Sequence, residues 1–272
     1  MTKLHVPILF LLMMISFRVV AESDVLPLKP PKQGGVYVVA HRGAHQDIPE
    51  NTLAAYQKAI EIGVDFVEID VRTTKDGKFV SVHNGEIDAY ANGAAKGKVS
   101  DFTLEELRAI DIGIRLGPKW KGTQVPTFEE ILDLCKGKVG IYLDLKQAPI
   151  PPLVEAIKVR GMEHDVIWYV GDGEVQELEQ VCPECIPMPD PGPEANLPKL
   201  IADLKPRAIA SMWKYCSPSF TEPCHKAGAI VVVDDGGPQT WEKLLEWGVD
   251  GIQTDEPAEL VAVLKKREGE KK

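Results

Sequence analysis

Past Val36 the chain alternates short apolar runs with longer stretches in which apolar residues recur every third or fourth position. The short runs suit parallel strands buried on both faces, and the longer ones suit amphipathic helices. The pattern predicts strands near residues 36–40, 64–71, 139–145, 166–170, 185–188, 207–211, 229–233 and 250–253. Helices are expected near 52–62, 127–136, 150–160, 173–180, 196–204, 218–227, 239–247 and 256–267, with start signals at Thr127 and at Asp255 before Pro257. Eight strand–helix units predict an α/β fold of the (β/α)8 TIM barrel type, which commonly occupies about 250 residues as one domain. An open doubly wound sheet shares the alternation, but its Gly-x-Gly-x-x-Gly phosphate string is absent.

Two stretches break the rhythm. Residues 84–118 lengthen the second unit with Asn92-Gly93, Gly97 and a helix start at Thr103-Leu104-Glu105-Glu106, so a small insertion after the second strand is expected to cap one side of the barrel mouth. The strand at 185–188 lies among Pro183, Pro187, Pro189, Pro191 and Pro193, which leaves it few amides for pairing. At the N-terminus, Lys3, the apolar run Val6 to Phe17 and Val19-Val20-Ala21 have the pattern of a signal peptide, residues 1–21. That run is shorter than the roughly 20 residues of a membrane span, and Arg18 interrupts it, so no stable membrane anchor is expected. The expectation is export, periplasmic or secreted, with a proline-rich flexible leader at 22–34 and a barrel domain at 35–268.

Charge and cysteine content narrow the partners. A balance of 31 basic against 41 acidic residues, net −10, argues against nucleic acid and against docking on anionic membrane. Cysteines stand at 135, 182, 185, 216 and 224. Export permits oxidation, and the last four suffice for two disulfides, whereas the second close pair of a zinc ribbon is missing. Cys135, inside a helical period, is expected as a buried thiol.

The chemistry concentrates where strands meet loops. Glu68 and Asp70 are two apart, so in a strand both point to one face while Val67, Ile69 and Val71 point to the other. Buried carboxylates need compensation, and a hard divalent ion held by oxygens, Ca2+ or Mg2+, would provide it. Asp144 and Lys146 share a face in the same way; an interior ion pair of Glu68 with Lys146 is the structural alternative. His41 and His83 can exchange protons near neutral pH, and Arg42 offers a fork of donors suited to phosphate.

The strings AHRGAHQDIPENTLAAYQKAIEIGVDFVEIDVRTTKDGKFVSVHN, FTLEELRAIDIG, VPTFEEIL, YLDLK and GVDGIQTDEP, taken in order, resemble the glycerophosphodiester phosphodiesterase family. The resemblance implies metal-dependent hydrolysis of small glycerophosphodiesters to glycerol 3-phosphate and an alcohol. It implies Glu68, Asp70 and Asp144 as metal ligands, His41 and His83 as the acid–base pair, and Arg42 and Lys146 on the phosphate oxygens. A lysophospholipid-cleaving or phospholipase D-like relative, or a binding barrel without turnover, would share these strings. Glu50 either orients Arg42 or stabilises a helix N-terminus, and Asn51-Thr52 serves equally as a cap. His45 is a candidate supporting residue. Three positions depart from the family pattern: Asp144 replaces glutamate, Asn84 replaces the aspartate after His83, and Val231 to Gly237 replaces a tryptophan-containing string. Trp168 and Trp213 are candidates for the lost pocket wall. Oligomeric state is not readable from these patterns.

Overall fold

The computed structural model describes residues 28–270. Eight parallel strands form the barrel: β1 (Tyr37–Ala40), β2 (Phe66–Thr73), β4 (Gly140–Gln147), β5 (Val166–Tyr169), β6 (Ile186–Met188), β7 (Ala208–Met212), β8 (Ile230–Asp234) and β9 (Gly251–Thr254). They run in the order β6-β5-β4-β2-β1-β9-β8-β7. The outer ring is α1 (Leu53–Ile62), α3 (Phe128–Cys135), α4 (Ile150–Lys158), α5 (Asp172–Val181), α6 (Leu197–Leu204), α7 (Pro218–Lys226), α8 (Trp241–Glu246) and α9 (Pro257–Glu270). The expected barrel is therefore present, nearly closed. Between β6 and β7 the ladder reduces to the bond from the Ala210 amide to the Pro189 carbonyl, 3.0 Å, because prolines at 187 and 189 have no N–H to give.

Strand alternation sorts the core into two layers. Val38, Val67, Ile69, Ile141, Leu143, Trp168, Ile209, Val231 and Ile252 face outward beneath the helices, while Tyr37, Val39, Phe66, Tyr142, Ile167, Met188, Ala210 and Val232 fill the interior. Following the inner face up each strand leads to His41, Glu68, Asp70, Asp144, Tyr169 and Asp234, so the periodicity that builds the core also aims the site. Trp168 is fully buried on the helix side and is core, which removes it as a pocket wall.

An antiparallel strand, β3 (Phe79–Ser81), pairs with β2 and was not expected from the sequence; three residues are too few to show a period. It carries the chain to His83 and the insertion, which includes α2 (Leu104–Arg108). The insertion packs its own small core around Ile87, Tyr90, Val99, Leu107, Ile110 and Val125. Thr103 with Glu106, and Thr127 with Glu130, form reciprocal capping boxes that start α2 and α3.

The expected signal peptide, 1–21, lies outside the described residues. The described part of the expected leader is tied to the barrel floor: Asp65 accepts from the amides of Lys32 and Val38, both at 2.8 Å, and the Tyr37 hydroxyl donates to the Lys29 carbonyl at 2.9 Å. Cys182 and Cys185 form a disulfide, whereas Cys216 and Cys224 remain buried thiols, so the second bridge allowed by the count does not form. Cys135 is a buried thiol, as expected. Among the described residues, no helix is long and apolar enough to cross a membrane.

Candidate active site

The first turn after β1 is unusual in its backbone. Arg42 sits at φ 53° and Asn51 at φ 54°, in the left-handed region that costs most residues about 1 kcal/mol or more. Between them Gly43, at φ 82°, lies so close to α1 that a Cβ would stand 2.8 Å from the Ala55 backbone. The turn aims the Arg42 amide at Glu68, with a hydrogen bond of 2.6 Å to Oε2.

Glu68, Asp70 and Asp144 bring one carboxylate oxygen each within 4.8 Å of the others. Burial pushes the Glu68 carboxyl well above the usual range, and the charges of Asp70 and Asp144 push it further. Burial likewise raises Asp144, against the opposing pull of Lys146. The Lys146 ammonium lies 2.6 Å from Asp144 Oδ2 and 3.3 Å from Asp70 Oδ1, and the latter oxygen is buried with no aligned hydrogen-bond donor. Lys146 thus pairs with the two aspartates, and the interior Glu68–Lys146 pair is not what forms. Three carboxylates, two buried and Asp144 partly so, outnumber the Lys146 ammonium and the Arg42 guanidinium, whose Nε lies 3.9 Å from Asp70 Oδ2, and one Asp70 oxygen has no aligned donor. The donor set fits a hard divalent cation.

Asn51 explains why Asp70 is fixed. Its Nδ2 donates to Asp70 Oδ2 at 2.7 Å, and its Oδ1 accepts from the hydroxyls of Tyr56 and Ser81, each at 2.8 Å. The cap of α1 is Thr52, accepting from the Ala55 amide, so the two roles left open for Asn51-Thr52 divide between the residues. Glu50 accepts from Arg42 Nη1 at 3.3 Å and from the Tyr90 hydroxyl at 3.1 Å, placing it as a support for the arginine.

The two histidines are held alike. His41 Nδ1 lies 2.7 Å from Asp255 Oδ1, and His83 Nδ1 lies 3.0 Å from Asn84 Oδ1. A carboxylate and an amide oxygen only accept, so Nδ1 carries the proton in each ring and Nε2 is left for other chemistry. Asn84 therefore replaces a carboxylate without losing the contact to His83. His45 Nε2 reaches the same Asp255 oxygen at 3.0 Å, and these imidazole hydrogen bonds hold the Asp255 carboxyl far below the usual carboxylate range. His83 and Lys146 line one pocket together with Arg72 and Asn84. Arg72 donates through Nε and Nη2 to the His83 carbonyl, at 3.2 and 2.6 Å, and pins the loop that carries the ring.

Three contributors were not singled out from the sequence. Arg72 continues the Glu68, Asp70 alternation by one step, a signal that was available. Asp255, which the sequence marks only as a helix start, follows the last residue of β9, and its pairing with His41 spans 214 residues. Tyr90 comes from the insertion, where nothing in the pattern marks it. Trp213 stacks on Trp247 at a centroid distance of 5.2 Å and backs Gly236, so it supports the wall of the mouth from behind.

The model of the Glycerophosphoryl diester phosphodiesterase family matches residues 41–172, which contain Glu68, Asp70, Asp144, His41, His83 and the insertion. A glycerophosphodiester phosphodiesterase of Caldanaerobacter subterraneus subsp. tengcongensis is 31% identical over 249 residues, 84% of this chain and 98% of that protein. The crystal structure of a glycerophosphodiester phosphodiesterase from Agrobacterium tumefaciens superposes with a TM-score of 0.74 at 27% identity, covering 84% of this chain and 99% of the other. A phosphodiesterase of Oleispira antarctica, solved with its product sn-glycerol-3-phosphate, shares the fold at a TM-score of 0.77 and 22% identity, over 83% of this chain and 95% of the other. With nearly the whole length of a relative aligned above 30% identity and the barrel itself shared, the chain belongs to the glycerophosphodiester phosphodiesterase family.

Proposed function

We propose that this chain is a metal-dependent phosphodiesterase that hydrolyses glycerophosphodiesters to glycerol 3-phosphate and an alcohol. The observation that carries the reading is the Glu68, Asp70, Asp144 triad, its first two members buried and an Asp70 oxygen lacking an aligned donor, set beside two imidazoles held through Nδ1. The triad would hold one divalent ion, Ca2+ or Mg2+, which when bound supplies positive charge to the phosphate oxygens. Asp144 is a methylene shorter than the family's glutamate, which favours calcium, since that ion tolerates irregular oxygen shells.

The chain's own residues do the rest. Arg42, braced by Glu50, and Lys146 bind non-bridging phosphate oxygens and neutralise charge as the ester bond lengthens. Of the two imidazoles, one accepts a proton at Nε2 from the attacking oxygen, and the other gives one from Nε2 to the leaving alkoxide. Asp255 at His41 and Asn84 at His83 each engage Nδ1, so both rings present Nε2 for this exchange. The attacking oxygen is water or the neighbouring glycerol hydroxyl. In this reading the protein is exported, through residues 1–21, to the periplasm or the medium.

The test is release of glycerol 3-phosphate from glycerophosphodiesters by the purified protein after chelation, then with calcium, magnesium or manganese restored singly. Metal-restored release that His41→Ala abolishes supports the assignment. Release that survives chelation, or survives His41→Ala, overturns the metal or the histidine part respectively.

A further inference from the structure

Beside the carboxylate triad the mouth holds a second group of metal-type donors, of different chemistry. His41, His45 and Asp255 bring one ligand atom each within 4.8 Å of the others. Strand register sets two of them side by side: Ala40 and Thr254 are partners at the ends of β1 and β9, so His41 and Asp255 are the next residues along adjacent strands. The His41 amide donates to the Thr254 carbonyl at 3.0 Å and carries the pairing one step beyond the ladder. Arg42 and Gly43, both at positive φ, then turn the chain so that His45, four residues on, comes back to the same point. His-x-x-x-His is a ligand spacing that zinc sites use.

The arrangement suits a cation better than it suits two separate hydrogen bonds. Both rings meet the same carboxylate oxygen, His41 through Nδ1 at 2.7 Å and His45 through Nε2 at 3.0 Å, so three donors converge on one point. The rings stand edge to face, with centroids 6.5 Å apart and planes at 76°, and turn their nitrogens inward without stacking. Among the described residues the ion-pair partners of Asp255 are these two imidazoles and no lysine or arginine. Negative charge collects nearby: Asp234 is the register partner of Gln253, the Asp235 amide donates to the Gln253 carbonyl at 3.0 Å, and Glu256 follows Asp255 in the chain. Two imidazole nitrogens with one carboxylate form a borderline donor set, suited to zinc and its transition-metal neighbours, whereas the all-oxygen triad suits calcium or magnesium.

We propose that His41, His45 and Asp255 form a second metal site, distinct from the triad, that takes a transition-metal ion of the zinc type and inhibits the enzyme when filled. Binding exchanges hydrogen bonds for ligand bonds. The ion takes the lone pairs of His41 Nδ1, His45 Nε2 and an Asp255 oxygen, and each neutral ring keeps its one proton by moving it to the other nitrogen. In His41 that proton then occupies Nε2, the atom that exchanges protons in the phosphodiesterase reading, and leaves it no lone pair with which to accept another. The inhibitory consequence rests on that reading; the site itself does not. His45, which is outside the acid–base pair, thereby acquires a role of its own as the ligand that makes the site tridentate.

The test titrates Zn2+ by calorimetry, and Co2+ by its visible absorption, into the full chain held in saturating calcium, for the wild type, His45→Gln, Asp255→Asn and Asp144→Asn. The wild type should bind a further ion, with the strong cobalt bands of a nitrogen-containing shell. His45→Gln and Asp255→Asn should each weaken zinc binding by at least about tenfold, the change that even an outer partner of a ligand can cause, and Asp144→Asn should leave it unchanged. No zinc bound beside calcium, an affinity that both site variants leave intact, or a loss confined to Asp144→Asn overturns the site. Hydrolysis of glycerophosphocholine in the same calcium buffer reads the consequence: zinc should slow the wild type, and His45→Gln should need at least about tenfold more zinc for the same inhibition. Zinc bound at the site without slowing turnover overturns the inhibitory role. Absence of hydrolysis with every metal overturns the phosphodiesterase reading and with it the inhibitory role, while the zinc and cobalt titrations still decide the site.

Discussion

Replacing Asn51 by alanine should cost far more than the loss of a helix cap and should weaken cation binding as well. The amide donates to the Asp70 carboxylate at 2.7 Å, and its oxygen accepts from Tyr56 and Ser81 at 2.8 Å, all in the buried interior. The Tyr56 and Ser81 oxygens lie 2.8 Å apart, so after the change one hydroxyl can turn to donate to the other. The hydrogen bond to a charged acceptor is worth about 1.5–3 kcal/mol, and a stranded buried polar group costs about 1–3 kcal/mol. The positive φ, which asparagine tolerates better than alanine, adds on the order of 1 kcal/mol. Together the loss is on the order of 5 kcal/mol, and for a domain of this size it should lower Tm by roughly 10–20 °C. Because Asp70 loses a partner that fixes its orientation, divalent-ion affinity should fall by about 10- to 100-fold. Scanning calorimetry and calcium titration of the wild type, Asn51→Ala and Thr52→Ala would check both numbers. Thr52→Ala removes the cap of α1, should cost about 1 kcal/mol and should leave ion affinity unchanged. If the two variants behave alike in stability and in ion affinity, the assignment of Asn51 to Asp70 is refuted.

Asp255→Asn should lower kcat/KM by about tenfold or more, since the amide no longer holds His41 in one tautomer and orientation, and steady-state assays at fixed metal would show it. The folded Asp255 carboxyl is depressed far below its unfolded value of about 4, so its contribution to stability is complete above that pH and fades as pH falls toward the folded value. The same variant should therefore flatten the acid limb of a Tm–pH profile, and an unchanged limb would contradict the assignment. Burial pushes the thiols of Cys135, Cys216 and Cys224 up to about 12, so iodoacetamide at pH 8 should label none of them in the folded protein, three after unfolding, and five once the Cys182–Cys185 bridge is reduced. Mass spectrometry would count the adducts, and a labelled native thiol would show the core to be more open than described.

The barrel was legible because buried parallel strands announce themselves as apolar runs, and even Ile186–Met188, hemmed in by prolines, forms β6. The metal-type triad was legible for a related reason: period-two spacing puts Glu68 with Asp70, and Asp144 with Lys146, without knowledge of the fold. What escaped depends on contacts across the ring. Asp255 reaches His41 only because β9 closes against β1, and Tyr90 reaches Glu50 only because the insertion folds back on its own core. Trp168 shows the opposite failure, where residue type suggested a wall and strand parity sent the ring to the helix side, leaving its neighbour Tyr169 at the mouth.

The seam between β6 and β7 has a consequence for how the molecule breathes. Seven of the eight junctions in the ring carry a ladder, while here the Ala210–Pro189 bond stands almost alone, so the cylinder is elastic along one line and stiff elsewhere. Asp190 and Met212 flank that line from either side. Parting of the two strands would widen the β6–β7 side of the mouth while the anchored carboxylates keep their spacing, and we expect amide exchange at Ala210 to outpace that at Ile69 or Leu143. Compliance and precision then reside on opposite arcs of one ring, the carboxylate triad on the stiff arc and the proline-flanked seam on the yielding one.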